Sequence, residues 1–409
     1  MAAGAAAVAS GFEASAQGSL GSLIWVQPDG LWIRALPGGQ TAKIASGNRL
    51  HNPRFSPTGQ WVSYSDGDEK QFVIRRDGGS PVSFDAEKTV WLPQDRLVVA
   101  YEHETHVLSG ADAWKSPVTA WKNEGLPLYS PGGHEYARWE IHERPADAYG
   151  LNRDKTELYI APAAVPERKS RVLIGENEGA IEVFAWTRDG KSLIYWRADE
   201  WSGSLWSDGV DLYTIPAAGG PERKLGMEAL AHDDMLDLAP KSNLLAVTRG
   251  RYRETWCDQQ IAVADLDTGA IRNLTSSSVS ALCPAWSPDG RTIAYTAAPN
   301  GGHLGGGEKA HDNLHLRKIW QIDPGGTSAP RQITNDPHYR DEEPMWSADG
   351  LRILFGRMDG HASLWPMDRD GSHATHICPV EVYDDMGLGD NWFGFYGYID
   401  WRSAFDWRR

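Results

Sequence analysis

The sequence predicts an all-β chain of repeated four-stranded units closed into a ring, and three observations carry that expectation. A hairpin pattern recurs along the chain, a further strand pattern follows each copy, and each end supplies the part of a unit that the other end lacks. The hairpin is clearest in "CPAWSPDGRTIAY", Cys283 to Tyr295, where an apolar run bearing Trp286 breaks on Ser-Pro-Asp-Gly and resumes as a second apolar run. Pro288 presets φ for the first turn position, Asp289 tolerates the second, and Gly290 accepts the left-handed conformation that closes a type I turn with a G1 bulge. A lone hairpin is marginal in water, so the unit needs copies to pack against.

Clear copies begin at Pro53 ("PRFSPTGQWVSY"), Phe184 ("FAWTRDGKSLIYW") and Pro344 ("PMWSADGLRILF"), and looser ones at Val90, Leu128 and Leu236. The equivalent positions are Phe55, Trp91, Tyr129, Trp186, Leu238, Trp286 and Trp346. After the hairpins come "LWIRALPGG" at Leu31, "FVIRRDGG" at Phe72, "LYTIPAAGG" at Leu212, "IAVADLDTG" at Ile261, "IWQIDPGG" at Ile319 and "LWPMDRDG" at Leu364. Their alternation marks a third strand ending in a Gly turn, and short runs such as "RQIT" at Arg331 supply a fourth. At the ends, the stretch from Leu23 holds second, third and fourth strands, and "GYIDWRS" from Gly397 reads as the missing first strand. Seven units plus this composite predict a single β-propeller of eight four-stranded blades, with seven as the alternative if the units at Trp91 and Tyr129 form one distorted blade. Trp186, Trp286, Trp346 and Trp401 take the repeat position and are expected to wedge between blades.

Composition agrees. The 409 residues include Gly 43, Pro 24 and Trp 19, which suits a turn-rich fold with many aromatic wedges. The net charge of -15 argues against nucleic acid or an anionic membrane as partner. Cys257, Cys283 and Cys378 form neither a zinc pattern nor a disulfide framework, and no apolar run is long enough to insert into a membrane. Residues 1–21 read as an Ala-rich tail or the remnant of an export signal, and 22–409 as one propeller domain. Periplasmic or secreted placement follows from that signal, cytoplasmic being the alternative, and a monomer is expected.

At "AWSPDGRTIAY" and "KIWQIDPGG" the chain resembles the TolB-like, WD-repeat-like propellers, almost residue for residue and from about Leu23 onward. The resemblance implies the fold; its scaffold hosts periplasmic partner proteins, peptidase gating domains and pectin-fragment lyases. No "GxSxG" nucleophile motif is present.

Propeller topology sorts the loops. The Ser-Pro-Asp-Gly turns lie on one face, and the insertions from Glu140, Arg197, Arg249, Thr296 and Glu381 gather on the other, where binding and catalysis are expected. Residues just before each first strand point into the channel mouth, and His51, His232, Asp234 and Glu343 are the expected ligands of a divalent cation, with Ca, Mn and Zn not distinguished. His51, His232, His103, His142 and Arg251 are candidates for acid-base work, and Trp201, Trp206, Trp256, His311, Asp341, Arg357 and Trp392 for substrate contact, exposed indoles being suited to stacking on sugars. "GGHLGGGEKA" lacks the Ser or Thr of a phosphate loop, so no nucleotide is expected, nor flavin or haem. The expected function is an enzyme-like propeller, of lyase or hydrolase type, holding a small molecule or carbohydrate in a central polar pocket on the long-loop face. The alternative is a non-catalytic module presenting that face to a protein or glycan.

Overall fold

In the computed structural model the described residues are 20–68, 70–101, 104–122, 127–142, 155–163, 168–174, 181–198, 207–302, 308–382 and 396–409. They form eight four-stranded antiparallel sheets, each a blade. The units at Trp91 and Tyr129 are separate blades, with first strands Lys88–Leu92 and Leu128–Tyr129, so the count is eight. Numbered around the ring from the composite blade 1, the other innermost strands are His51–Phe55, Lys88–Leu92, Leu128–Tyr129, Ile181–Trp186, Leu236–Leu238, Val279–Trp286 and Arg340–Trp346 in blades 2 to 8. First strands of neighbouring blades touch between blades 1 and 2, 4 and 5, 6 and 7, and 7 and 8, as expected of strands that line the axis of a ring.

The apolar core is divided among the gaps between blades. One cluster joins Ile194, Trp196 and Leu212 of blade 5 to Leu236, Leu245 and Val247 of blade 6, and another joins Val263 of blade 6 to Trp286 and Tyr295 of blade 7. The repeat aromatic ties neighbours together directly. In four blades the indole N–H donates to a carbonyl in the preceding blade: Trp91 to Arg54, Trp186 to Leu128, Trp286 to Asp237 and Trp346 to Ala285, at 3.2, 2.8, 3.0 and 3.0 Å. The acceptor always sits one residue before that blade's own repeat position, so apolar burial and a specific polar bond set the same geometry.

The ring closes in one blade that shares both ends, but through a different stretch from the one expected. Phe405–Arg408, rather than the run from Gly397, pairs with Gly21–Gln27. Asp400 explains the difference, because its carboxylate accepts the Ser403 N–H at 3.1 Å and caps a helical turn over Trp401–Ser403. Trp407 therefore holds the repeat position in place of Trp401. The Asp406 carboxylate beside Trp407 accepts the Phe55 N–H at 2.8 Å, just as Asp237 beside Leu238 accepts the Trp286 N–H at 2.6 Å.

The one α-helix among the described residues, Glu308–His315, lies in the insertion of blade 7 and packs Ala310 and Leu314 against Trp256 and Cys257. No helix among the described residues is long and apolar enough to cross a membrane.

Candidate functional site in the channel

Asn52, Cys283 and Glu343 occupy equivalent places in blades 2, 7 and 8, three residues before the repeat aromatic and immediately before Pro53, Pro284 and Pro344. All three have left-handed backbones, with φ of 51°, 52° and 50°. The strand register slips at each place, between His51 and Arg54, Leu282 and Ala285, and Glu342 and Met345. Each is a β-bulge, the device that re-aims a side chain where a ladder is interrupted.

Two of these bulged residues meet a third group. One ligand atom each from Asp234, Cys283 and Glu343 lies within 4.8 Å of the others, and all three residues are buried. They come from successive blades 6, 7 and 8, whose first strands are neighbours. The closing segment covers them: the Tyr398 hydroxyl donates to both Asp234 oxygens at 3.1 Å, and Arg402 Nε donates to Glu343 Oε1 at 2.7 Å. The second oxygen, Glu343 Oε2, is buried and accepts no hydrogen bond among the described residues unless the neighbouring Asp234 carboxyl is protonated, and Glu343 is only 1 % exposed.

Electrostatics follow from this crowding. Burial pushes the Asp234 carboxyl well above its ordinary value, the Glu343 carboxylate adds to the rise, and Arg402 opposes it. Burial also raises the Cys283 thiol and the Tyr398 hydroxyl, with Asp234 the next contributor to both. Arg402 stays charged because Glu343 and Asp234 outweigh its own desolvation. Two buried carboxylates thus face one guanidinium, which leaves room for a proton or a cation between them.

A second buried network holds the closing segment in place. Arg317 and Arg340 both donate to Glu342, which they keep ionised against the effect of its burial, and both donate to the Gly397 carbonyl, at 2.7 and 2.8 Å. Trp401 Nε1 donates to the other Glu342 oxygen at 2.9 Å.

Of the four expected ligands, Asp234 and Glu343 come together and the two histidines do not join them. His51 lies in blade 2 and contacts the Arg49 carbonyl at 3.2 Å. His232 stacks on Tyr398, ring centroids 4.0 Å apart, and burial lowers its pKa to about 4, so it is neutral at neutral pH. Cys283, Tyr398 and Arg402 were not read as site residues. The signal for Cys283 was present, since it precedes "PAW" as Glu343 precedes "PMW".

The remaining candidates are dispersed. Trp256 is 1 % exposed, a correction to its reading as an exposed indole, because the blade 7 helix covers it. Asp341 and Arg357 are buried and paired in a bidentate bridge at 2.7 and 3.0 Å, and the guanidinium lies 4.4 Å from the Tyr339 ring and 4.7 Å from the Trp365 ring. Arg251 is largely exposed, 3.9 Å from Glu228, and His311 lies on the blade 7 helix. His142 ends the strand Glu135–His142, and its side chain lies outside the described residues, as do His103, Trp201, Trp206 and Trp392.

No family model matches the sequence, and no curated protein matches it. Solved structures do. A eukaryotic initiation factor aligns with TM-score 0.56 and 14% identity over 90% of this chain and 90% of its own. Porphyromonas gingivalis dipeptidyl peptidase 4 aligns with TM-score 0.57 and 10% identity over 90% of this chain and 63% of its own. A TolB from Agrobacterium tumefaciens aligns over 89% of this chain with 15% identity and TM-score 0.38. The initiation factor and the peptidase differ in role, so the likeness to them is one of fold.

Proposed function

We propose that this chain works through its central channel as a small-molecule or carbohydrate-directed enzyme of lyase or hydrolase type, with Asp234, Glu343 and Cys283 holding a divalent cation. The observation that carries this reading is the unpartnered Glu343 Oε2, buried and adjacent to a second carboxylate and a thiol. A lone buried carboxylate oxygen is costly unless a proton or a metal satisfies it. Two carboxylates with a sulfur suit a borderline cation such as zinc better than calcium, which takes oxygen ligands. A cation there would act as a Lewis acid. Tyr398, protonated and bonded to Asp234, would supply a proton, and Arg402 would steady developing negative charge.

One feature favours a second reading. Tyr398 and the helical turn at Trp401–Ser403 close over the triad, as they would if the cation were structural and the long-loop face bound a protein or glycan. To separate the two, the chelator-treated protein is reloaded with zinc, manganese or calcium, and bound metal is measured by elemental analysis. One equivalent is expected for the wild type and none for Glu343→Gln; a metal-free wild type would end both forms of the cation reading. Acidic oligosaccharides are then screened for new reducing ends and for unsaturated ends. Loss of turnover in Glu343→Gln, with the fold retained, supports the enzyme; loss of thermal stability without any turnover in the wild type supports the module.

A further inference from the structure

Toward the Ser-Pro-Asp-Gly face the channel widens into a cavity of about 530 Å3, with Pro240 and Pro288 of two turns at its rim. Four guanidinium groups line it: Arg54, Arg188, Arg402 and Arg409. Only Arg402 is spoken for by a carboxylate, Glu343. Arg54 donates to the Pro53 and Arg402 carbonyls, both at 2.8 Å, and Arg188 to the Ala239 and Leu238 carbonyls at 3.0 and 3.3 Å. Those bonds fix the orientation of each planar fork without neutralising its charge. Arg409 lies over the Trp407 ring at 5.7 Å. Among the described residues none of these three is in an ion pair.

Asp233, Asp237 and Asp406 also line the cavity and offset part of the arginines' charge, but Asp237 and Asp406 each turn an oxygen to a backbone N–H, of Trp286 and Phe55, rather than closing an ion pair with a guanidinium fork. Pre-oriented, unpaired guanidinium forks match the planar oxygens of carboxylates and phosphates. Trp286, Trp346 and Pro344 supply the apolar part of a mainly polar lining, and the volume suits a small organic molecule. The chain's overall charge of -15 selects against a polyanion, whose remaining charges would meet an acidic surface.

We infer that the turn-side cavity is a binding site for a small organic anion carrying a carboxylate or phosphate group, held by Arg54, Arg188 and Arg409. It opens on the face opposite the long loops and stands independently of the cation reading. The test is titration calorimetry on the full chain with two aromatic probes, phenyl phosphate and benzoate. Saturable one-site binding of at least one probe is expected, and the tighter of the two identifies the head group. The double variant Arg54→Gln/Arg188→Gln should weaken it about tenfold or more, and Arg272→Gln, on the outer strand of blade 6, should not. Because Arg54 bridges to the closing segment, Arg409→Gln at the exposed end of the chain serves as a second variant that does not threaten the fold, and it too should weaken binding. Failure of both probes to saturate, or unchanged affinity in both variants, overturns the inference.

Discussion

Asp237 bridges blades 6 and 7 at a cost that can be measured. Its Oδ2 accepts the Trp286 N–H at 2.6 Å, yet burial raises its pKa from the ordinary 3.8 to about 6, despite that bond and the opposing pull of Arg402, Arg409 and Arg188. A raised carboxyl means that the native state binds more protons than the unfolded chain between pH 3.8 and 6. The contribution of this group is therefore fully favourable below 3.8 and is lost as pH rises through 6. At about 1.4 kcal/mol per pH unit, the ionised carboxylate costs the fold about 3 kcal/mol at neutral pH, a ceiling because Asp237 is only partly buried and solvent screens part of it. Asp237→Asn keeps an oxygen for the Trp286 N–H and removes the titration. The variant should match the wild type near pH 4 and exceed it by about 1–3 kcal/mol at pH 8, read from urea unfolding across that range. A variant that is destabilised more at pH 8 than at pH 4 would show that the arginines hold this carboxylate ionised at a profit to the fold, and the reasoning would fail.

Two further outcomes test the architecture. Gly290 has φ of +75°, so Gly290→Val should cost about 1–3 kcal/mol in strain, more than Asp289→Ala, which loses the Ser287 hydroxyl bond at 2.6 Å and the Arg291 N–H bond at 3.0 Å; equal melting temperatures would mean the turn does not need its left-handed residue. Deleting residues 405–409 removes the partner of Gly21–Gln27 and opens the ring, and size-exclusion chromatography should show aggregates; a soluble monomer would contradict closure by that strand.

The blades were legible because their signals are local. A turn such as Ser287–Gly290 declares itself in four residues, and the alternation of "IAVADLD" is independent of distant contacts. The closing strand was misplaced because "GYIDWRS" and "FDWR" are equally aromatic, and only the Asp400 cap and the pairing of Phe405–Arg408 with Gly21–Gln27 distinguish them. At the site, Asp234 and Glu343 were legible from their position ahead of first strands. The histidines were not excluded, because the sequence does not show that Asn52 rather than His51 takes the bulged place in blade 2, or that Tyr398 of the closing segment stacks on His232. Arg402 and Tyr398 reach the triad from the closing segment, and Arg54, on a first strand, and Arg188, in the turn that follows one, line the same cavity from places far apart in the chain.

The bulges at Asn52, Cys283 and Glu343 have a further consequence. In each blade the ladder resumes after the slipped residue, and the indole-to-carbonyl ties fall beyond it, so the frame makes no demand on which side chain stands there beyond tolerance of a left-handed backbone. An amide, a thiol and a carboxylate already occupy the same socket in three blades. The axis is in this sense a ring of interchangeable fittings, where the chemistry at the centre can be exchanged one blade at a time while strand register and closure stay as they are.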